Sequence, residues 1–495
     1  MRRLPVRVRH YWKLLVVCAA VPTVLVVLFS TVRVAPLVTS TSSASGDRIT
    51  QDVAGTEDLF DAGVAHSIKL TFRDDGYQRL LDSFFSDGKK DFLEADLTLD
   101  GTTVPSVGIR LKGNSTLSGL TRNGESRQSG FGGGRRGGGG GFGAALKAEE
   151  PENLPWLIRF DEYVEGRRYQ GHREIAVRVG GEAVLNEAVS LSVLAAAGEV
   201  SQRYAYSSFV VNDRPAAARL IVEHPDENFA DTIGDDGVLY KSLASSQFTD
   251  QGDDPTDYAD DFKQINKKGS QDLQPVIDLI RWVNSASDAD FDADLADHVD
   301  VESFARYVAV QNLLVNFDDM AGPGRNYYLW YDLTSRTFQV IGWDYNLTFS
   351  GDATQDPAES SSMGRGGFRG FQPGAQPGVE PGAQPGFEPP EGFQPPEGME
   401  PPGGGRGFGG MGGHKLKERF LASEALKPVY RKAYKELFNK IYGNAAALNT
   451  IDAVTGVIAE VDGADQAALT AEADSLRTLI RERTQFLATH EYITG

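Results

Sequence analysis

The order of the hydrophobic patterns along the chain is the feature that most limits its fold. Short segments of alternating apolar and polar residues recur between Ile68 and Tyr240, a pattern typical of strands with one buried face. One principal helix, Leu185 to Ala197, is predicted within this region and is stopped by Gly198, and Gly76 to Phe85 is a second helical candidate. Segments with helical apolar spacing then follow at residues 273–284, 301–315, 416–442, 451–461 and 464–489. Strands first and helices afterwards predict an α+β fold.

Charge and cysteine content exclude several classes of protein. The formal net charge of -20 argues against a nucleic-acid surface, because a phosphate backbone requires clustered Lys and Arg side chains. We therefore expect no nucleic-acid partner. The single cysteine, Cys18, lies in an apolar run near the N-terminus. The remainder of the sequence therefore has no disulfide, cysteine metal site or thiol nucleophile.

The N-terminus has the pattern of a membrane anchor. Five basic residues within 1–13 precede an apolar run that extends through residues 14–32, and the first acid is Asp47. A run of this length is about sufficient to cross a bilayer, and the preceding positive charge favours a cytoplasmic N-terminus. We expect a single-pass protein of the cell membrane whose globular part is extracytoplasmic. Secretion after signal-peptide cleavage is the alternative.

Two segments have low-complexity composition. Residues 130–143 are rich in Gly with Arg135 and Arg136 at their centre, and residues 351–413 consist largely of Gly, Pro, Gln, Glu and Phe. Such sequences bury too little apolar surface to fold alone, so both are expected to be disordered insertions.

An acidic stretch, residues 288–297, superficially resembles a calcium-binding loop. The glycine expected at its sixth position is replaced by Ala293, and Val299 stands where a glutamate ligand is expected. Phe291, Leu295 and Val299 instead keep a four-residue period, which favours a helix with an acidic solvated face.

Polar residues are densest in residues 316–326, and a two-strand pattern then leads to residues 342–349. Phosphoryl transfer requires one carboxylate near the nucleophile and a second carboxylate with an amide to hold Mg²⁺. Protein kinases separate these groups by a similar short strand pair. The structural alternative is that Asp318 and Asp319 lie in a simple turn and that Asp344 lies at the end of a strand.

Other enzyme classes have less support in the sequence. Paired carboxylates are also used in glycoside hydrolysis, although their separation cannot be read from a sequence. A Gly-x-Ser-x-Gly elbow is absent, and the seven histidines lack His-x-x-x-His spacing. These observations disfavour serine hydrolases and zinc enzymes.

A series of short motifs occurs in one order between about residues 65 and 350. They are GIRLKGNS at 108–115, LPW at 154–156 with RFDEY at 159–163, LNEA at 185–188, VEH at 222–224, LYK at 239–241, NFD at 316–318, GRNYYL at 324–329 and GWDYN at 342–346. This ordered set resembles the CotH kinase family, whose members have an atypical kinase-like fold. The resemblance implies a two-lobed fold with a strand-rich N-lobe and a helical C-lobe.

The resemblance also implies a role for individual residues. Asp318 corresponds to the catalytic aspartate, with Asp319 as the fallback, while Asn326 and Asp344 correspond to the ligands of Mg²⁺ or Mn²⁺. Residues implied in ATP binding are Arg110, Lys112, Asn114, Arg159, Glu187, Glu223 and Lys241. Among these, Glu187 is expected to pair with an ATP-binding lysine, and Glu223 to lie near the nucleotide base.

The sequence departs from the family pattern at that lysine. A lysine is expected near position 153 or 157, where Asn153 and Leu157 stand. Arg159, Lys112 or Lys241 could compensate for it.

Together with the N-terminal anchor, the resemblance implies a membrane-anchored protein kinase that transfers the γ-phosphoryl group of ATP to protein hydroxyls, Ser or Thr above all. Its substrate would be a cell-surface or spore-coat protein, and the oligomeric state stays open. A catalytically weak kinase-like scaffold is the alternative. The expected organisation is a basic tail (1–13), an anchor (14–32), a spacer (33–60), a kinase domain (61–350), an insertion (351–413) and closing helices (414–495).

Overall fold

The computed structural model describes residues 49–113, 116–127, 146–180, 185–359 and 413–495. The predicted membrane anchor, the Gly-rich insert and residues 360–412 of the second insertion lie outside these ranges. Within the described ranges, no helix has both the length and the apolar character needed to cross a bilayer.

The described strands are β1 (Gln51–Val53), β2 (Ala65–Thr71), β3 (Leu93–Leu99), β4 (Thr102–Leu111), β5 (Thr121–Arg122), β6 (Glu125–Ser126), β7 (Trp156–Arg159), β8 (Arg167–Tyr169), β9 (Glu174–Val177), β10 (Tyr204–Val211), β11 (Ala217–Glu223), β12 (Gly237–Ser242), β13 (Phe262–Gln264), β14 (Tyr327–Asp332) and β15 (Phe338–Gly342).

The described α-helices are α1 (Asp74–Asp87), α2 (Leu185–Ala197), α3 (Glu227–Ile233), α4 (Gln274–Ser285), α5 (Asp288–Asp294), α6 (Val301–Leu313), α7 (Lys415–Ala422), α8 (Lys427–Ile441), α9 (Ala446–Ala459), α10 (Gln466–Ala488) and α11 (Glu491–Thr494). This mixture of strands and helices confirms the predicted α+β class.

The first half of the chain forms a closed barrel in the order β10-β11-β9-β7-β4-β3-β2. Parallel pairing of β2 with β10 closes it, whereas its other neighbours are antiparallel. Alternate residues point inward, as Ile68 and Leu70 do on β2, because successive side chains of a strand face opposite sides. The barrel therefore encloses its own apolar core.

Helix α1 covers part of this barrel through an apolar stripe. Tyr77, Leu80, Leu81 and Phe84 have helical spacing and are buried. The helix ends at Gly88, whose φ of 73° is readily reached only without a Cβ, and whose N–H donates to Phe84 O.

A four-stranded sheet, in the order β13-β12-β14-β15, lies with most of the remaining helices around a second apolar core. Helix α2 belongs to this core and packs against α8 and α9, while α6 packs against α8. The sheet and α6 together position the polar segment singled out from the sequence.

Two helical predictions were tested by these elements. The acidic stretch forms α5, and the Ser287 side chain caps its N-terminus by accepting a hydrogen bond from Asp290 N. The prediction of a helix, rather than a calcium-binding loop, is therefore confirmed. The single helical segment predicted over residues 416–442 was wrong, because α7 and α8 are separate. Pro428 lies in the first turn of α8, where its missing N–H is tolerated, and it cannot continue a preceding helix.

Candidate functional site

The loop after α6 folds around the carboxylate of Asp318. Its Oδ1 accepts a hydrogen bond from Gly324 N at 2.6 Å, and its Oδ2 accepts one from Asn326 Nδ2 at 2.9 Å. A Cβ at position 324 would lie 2.7 Å from Asp318 Oδ2, so glycine permits this close approach. The structure therefore brings Asp318 and Asn326 into direct contact, as the sequence had predicted for two residues of one site.

Asp318 has an unusual proton affinity for an aspartate. Burial, together with the nearby charges of Asp344 and Asp319, raises the pKa of Asp318 to about 6, although the hydrogen bonds from Gly324 and Asn326 oppose the rise. The residue is 8% exposed. A carboxylate of this kind is ionised at neutral pH and accepts a proton more readily than an ordinary aspartate.

The β14–β15 hairpin places Asp344 near the same loop. Tyr327, which follows Asn326, pairs with Gly342, and Trp343 N donates to Asn326 O at 3.3 Å. Asp344 has a left-handed backbone conformation, with φ of 60° and ψ of 62°. Such conformations are uncommon for residues other than glycine and often occur at functional sites.

An arginine that the sequence analysis had not selected joins Asp344 to α2. Arg178 follows β9, and its Nη2 donates to Glu187 Oε1 and lies 3.0 Å from Asp344 Oδ1. Although burial opposes it, the carboxylates of Asp344 and Glu187 raise the pKa of the Arg178 guanidinium. Glu187 therefore pairs with an arginine, not with a lysine as expected.

Three cations surround the indole of Trp343. Lys112 Nζ lies 5.1 Å from the ring centroid, the Arg178 guanidinium carbon 5.2 Å and Lys241 Nζ 5.5 Å. Burial and the neighbouring Lys263 lower the pKa of Lys241 to about 8, and burial together with Lys241 and Arg178 lowers the pKa of Lys112 well below its usual value. An anionic ligand would offset the burial and repulsion that disfavour the protonated form of each lysine, so this cluster favours an anion.

Neither lysine forms a direct ion pair with another described residue. Within the described parts of the chain, no carboxylate lies at ion-pair distance from Lys112 or Lys241. The structure thus brings together six of the predicted residues, namely Lys112, Lys241, Glu187, Asp318, Asn326 and Asp344.

Asp319 has a different environment from its neighbour. Its side chain is fully buried, Oδ2 accepts from Lys417 Nζ, and Oδ1 accepts from Ala321 N at 2.8 Å. Asp319 is therefore held in an ion pair with Lys417, whereas Asp318 accepts hydrogen bonds from neutral groups of its own loop and forms no ion pair with another described residue, which favours Asp318 over Asp319 as the carboxylate available to a ligand.

Two other residues that were predicted to bind the nucleotide, Arg159 and Arg110, lie next to an acidic side chain and an aromatic ring, respectively. Arg159 Nε lies 2.9 Å from Asp161 Oδ1, so its guanidinium is already paired and does not compensate for the missing lysine at Glu187. The Arg110 guanidinium lies 5.5 Å from the ring centroid of Phe92, and burial lowers its pKa.

Glu223 lies outside the group. Its Oε2 accepts from Arg203 N at 3.0 Å, and its Oε1 lies 3.7 Å from His172 Nδ1. No contact among the described residues joins it to Asp318 or Asp344. Asn114 lies outside the described residues.

The residues missed by sequence reasoning are Arg178, Trp343 and Lys417. Arg178 interrupts the apolar sequence IAVRV at 175–179, where a charged residue requires a partner if the segment is buried, and this was the available signal. Trp343 is adjacent to Asp344 in the motif GWDYN, but its contact with three cations depends on residues distant in sequence.

The polar groups fit a divalent cation. In the described chain, no group of three or more His, Cys, Asp or Glu side chains is arranged for metal binding; the oxygen donors here are two carboxylates, Asp318 and Asp344, and the amide of Asn326. Asp344 Oδ1 is buried without a hydrogen-bond partner in this part of the structure. Carboxylate and amide oxygens of this kind are suited to Mg²⁺ or Mn²⁺.

Comparison with known proteins agrees with the motif order. A family model described as CotH kinase protein matches residues 135–487. The chain belongs to the CotH family. The matched residues include Asp318, Asn326 and Asp344, whereas β4, which leads to Lys112, precedes the match. Family membership thus confirms the resemblance on which the residue roles were predicted.

The chain is also similar to a curated CotH relative. It is 23% identical over 197 residues to the inner spore coat protein H of Bacillus subtilis (strain 168). The match covers 38% of this chain and 54% of the Bacillus protein, so it spans about half of that relative's length.

Proposed function

We propose that this CotH-family chain is a protein kinase that transfers the γ-phosphoryl group of ATP to protein hydroxyls, Ser or Thr above all. The observation that carries the proposal is the juxtaposition of Asp318, Asn326 and Asp344 with a cluster of buried cations. Phosphoryl transfer depends on positioning and charge stabilisation, for which these are the required group types.

The cations supply the phosphate side of the site. Lys112, Lys241 and Arg178 share one aromatic neighbour, Trp343, and burial together with nearby positive charge lowers the pKa of both lysines. A triphosphate would relieve their mutual repulsion, because opposite charge favours the protonated form of each lysine. Asn114, in the same motif as Lys112, stays a predicted contact.

Asp344 and Asn326 would hold Mg²⁺ or Mn²⁺, which would neutralise charge on the β- and γ-phosphates. Asp318 is adjacent through its hydrogen bond with Asn326. Its role is to orient the substrate hydroxyl and accept its proton, a task helped by its raised pKa.

The two apolar cores correspond, in this proposal, to the two lobes of a kinase. The barrel core would form the N-lobe and the helical core the C-lobe. The ion pair between Arg178 and Glu187 of α2 would take the place of the lysine–glutamate pair of protein kinases.

The location and the substrate extend the proposal beyond the site. An anchor at residues 14–32 would place the kinase outside the cytoplasm, with cleavage and secretion as the alternative. The printed name of the Bacillus relative refers to the inner spore coat, so we propose a coat or cell-surface protein rich in Ser or Thr as the phosphate acceptor.

A catalytically weak scaffold is the second candidate. It is favoured by Asn153 and Leu157 at the expected lysine positions and by the direct contact of Arg178 with Asp344. Such a domain would bind ATP and metal weakly and would not transfer phosphate.

Ligand-induced stabilisation separates these functions. A ligand that binds only the native chain raises its melting temperature, so Mn²⁺ with ATP should raise that of the wild type. Asp344→Asn should abolish most of this shift, because Asn tolerates the left-handed backbone but lacks the charge. Asp292→Asn, an exposed change on α5, is the control.

Transfer of label from γ-labelled ATP to a Ser-rich peptide then tests catalysis. Binding together with transfer that requires Asp344 supports the kinase, and binding without transfer supports the scaffold. Equal melting shifts for the wild type and Asp344→Asn would contradict the assignment of this site to the metal–nucleotide complex.

A further inference from the structure

Arg178 contacts two carboxylates of the candidate site through one nitrogen. Its Nη2 donates to Glu187 Oε1 and lies 3.0 Å from Asp344 Oδ1. The guanidinium also lies over Trp343, near Lys112. An arginine here is therefore adjacent to both the proposed metal ligand and the proposed phosphate region.

Several hydrogen bonds around this arginine are unmade. Arg178 Nε, Glu187 Oε2 and Asp344 Oδ1 are buried without a hydrogen-bond partner among the described residues. Asp344 is thus held by charge and not by a well-directed hydrogen bond. Buried polar atoms are nearly always paired in native proteins, so three such atoms in one cluster indicate an arrangement that a ligand completes.

We infer that Arg178 couples metal binding to nucleotide binding, by occupying Asp344 until the cation and the phosphates arrive together. This inference rests on the proposed function and names the residue that regulates its site. The guanidinium competes with a cation for Asp344 Oδ1, because both are positive and both require the same oxygen. A phosphate beside Trp343 would replace Asp344 as a partner of the guanidinium, while the ion pair between Arg178 and Glu187 would be kept.

Linkage gives this arrangement a measurable signature. A cation alone must displace Arg178 from Asp344 without compensation, so it binds weakly. When ATP is present, the guanidinium is paired with phosphate, and the cation binds more tightly. Coupling is reciprocal, so the cation must strengthen ATP binding by the same factor.

Removal of the guanidinium should change the affinities for the two ligands in opposite directions. In Arg178→Met, Mn²⁺ alone should bind at least about fivefold more tightly than in the wild type, and ATP alone at least about fivefold more weakly, the lower end of typical couplings. The factor by which each ligand strengthens the other should fall towards one. A merely structural role for Arg178 would weaken both ligands.

Arg178→Lys provides a second variant should the methionine variant fold poorly. It keeps the charge but replaces the planar guanidinium by a compact ammonium on a shorter side chain, so its coupling should be intermediate. Arg306→Met is the matched control, because Arg306 also joins two carboxylates, those of Glu199 and Glu436. It should leave both affinities and their coupling unchanged.

The experiment uses the purified full-length chain and two titrations. Mn²⁺ binding is followed by the electron paramagnetic resonance signal of the free ion, with and without ATP, and ATP binding by calorimetry with and without Mn²⁺. Weaker Mn²⁺ binding in both Arg178 variants, or unchanged coupling between Mn²⁺ and ATP, would overturn the inference but would not contradict the proposed function. Failure of the wild type to bind either ligand would instead refute the proposed function.

Discussion

The ion pair between Lys417 and Asp319 provides the sharpest test of how the candidate site is built. Lys417, on α7, is 3% exposed in its side chain, and Asp319 is fully buried. The backbone just before α7 also contacts the same loop, since Gly413 N donates to Ala321 O at 3.0 Å and Arg325 donates to Gly413 O. The segment from Gly413 to Lys417 thus fastens the loop that carries Asp318.

Replacement of Lys417 by methionine should destabilise the fold strongly. The apolar stem would be preserved, but Asp319 would keep a buried charge with the Ala321 N–H as its only side-chain partner among the described residues. Loss of one partner from a buried pair typically costs about 3–5 kcal/mol. The exposed pair of Lys427 with Glu424, whose side chain is 81% exposed, offers the contrast. Its loss should cost less than about 1 kcal/mol.

Urea denaturation followed by tryptophan fluorescence gives the free energy of unfolding for Lys417→Met, Lys427→Met and the double variant Lys417→Met/Asp319→Asn. The double variant should recover most of the loss, because it removes the buried charge as well as its partner. Equal effects of Lys417→Met and Lys427→Met would refute the reasoning, since they would show that Asp319 is not desolvated as the structure places it.

Two further predictions concern the stability of the two cores. Although burial opposes it, the hydrogen bond to Asp100 raises the pKa of His66. The interaction therefore stabilises the fold at pH values below the pKa of His66 in the unfolded chain, and this stabilisation is lost as pH rises through the pKa of His66 in the folded chain. The melting temperature of His66→Gln should thus fall below the wild type more at pH 6 than at pH 8.5. Arg483 is fully buried and donates to Asn312 and Ala353 O; Arg483→Met should cost at least about 3 kcal/mol in urea denaturation, because several acceptors lose their donor.

Strands and helices were largely predictable because their signals are local. The alternation around Ile68 and the four-residue period through Phe291 reflect which side of a strand or helix faces a core. The boundary between α7 and α8 was missed because the apolar spacing continues through it while Pro428 interrupts the backbone hydrogen bonds.

Identification of Asp318, Asn326 and Asp344 as candidates also required only the sequence, since the motif order carried it. The choice between Asp318 and Asp319 did not follow from their adjacent positions. It was decided by Lys417, which lies 98 residues away and buries one carboxylate in an ion pair.

The sequence by itself thus determined the α+β class, the family and the residue types available for chemistry, because periodicity and motif order are written along the chain. Only the tertiary structure decided that Arg178 is the partner of Glu187 and that Lys112 and Lys241 meet at Trp343. The reason is that charge pairing depends on distances in space. Those distances are set by the packing of the barrel against the sheet, and no local pattern encodes them.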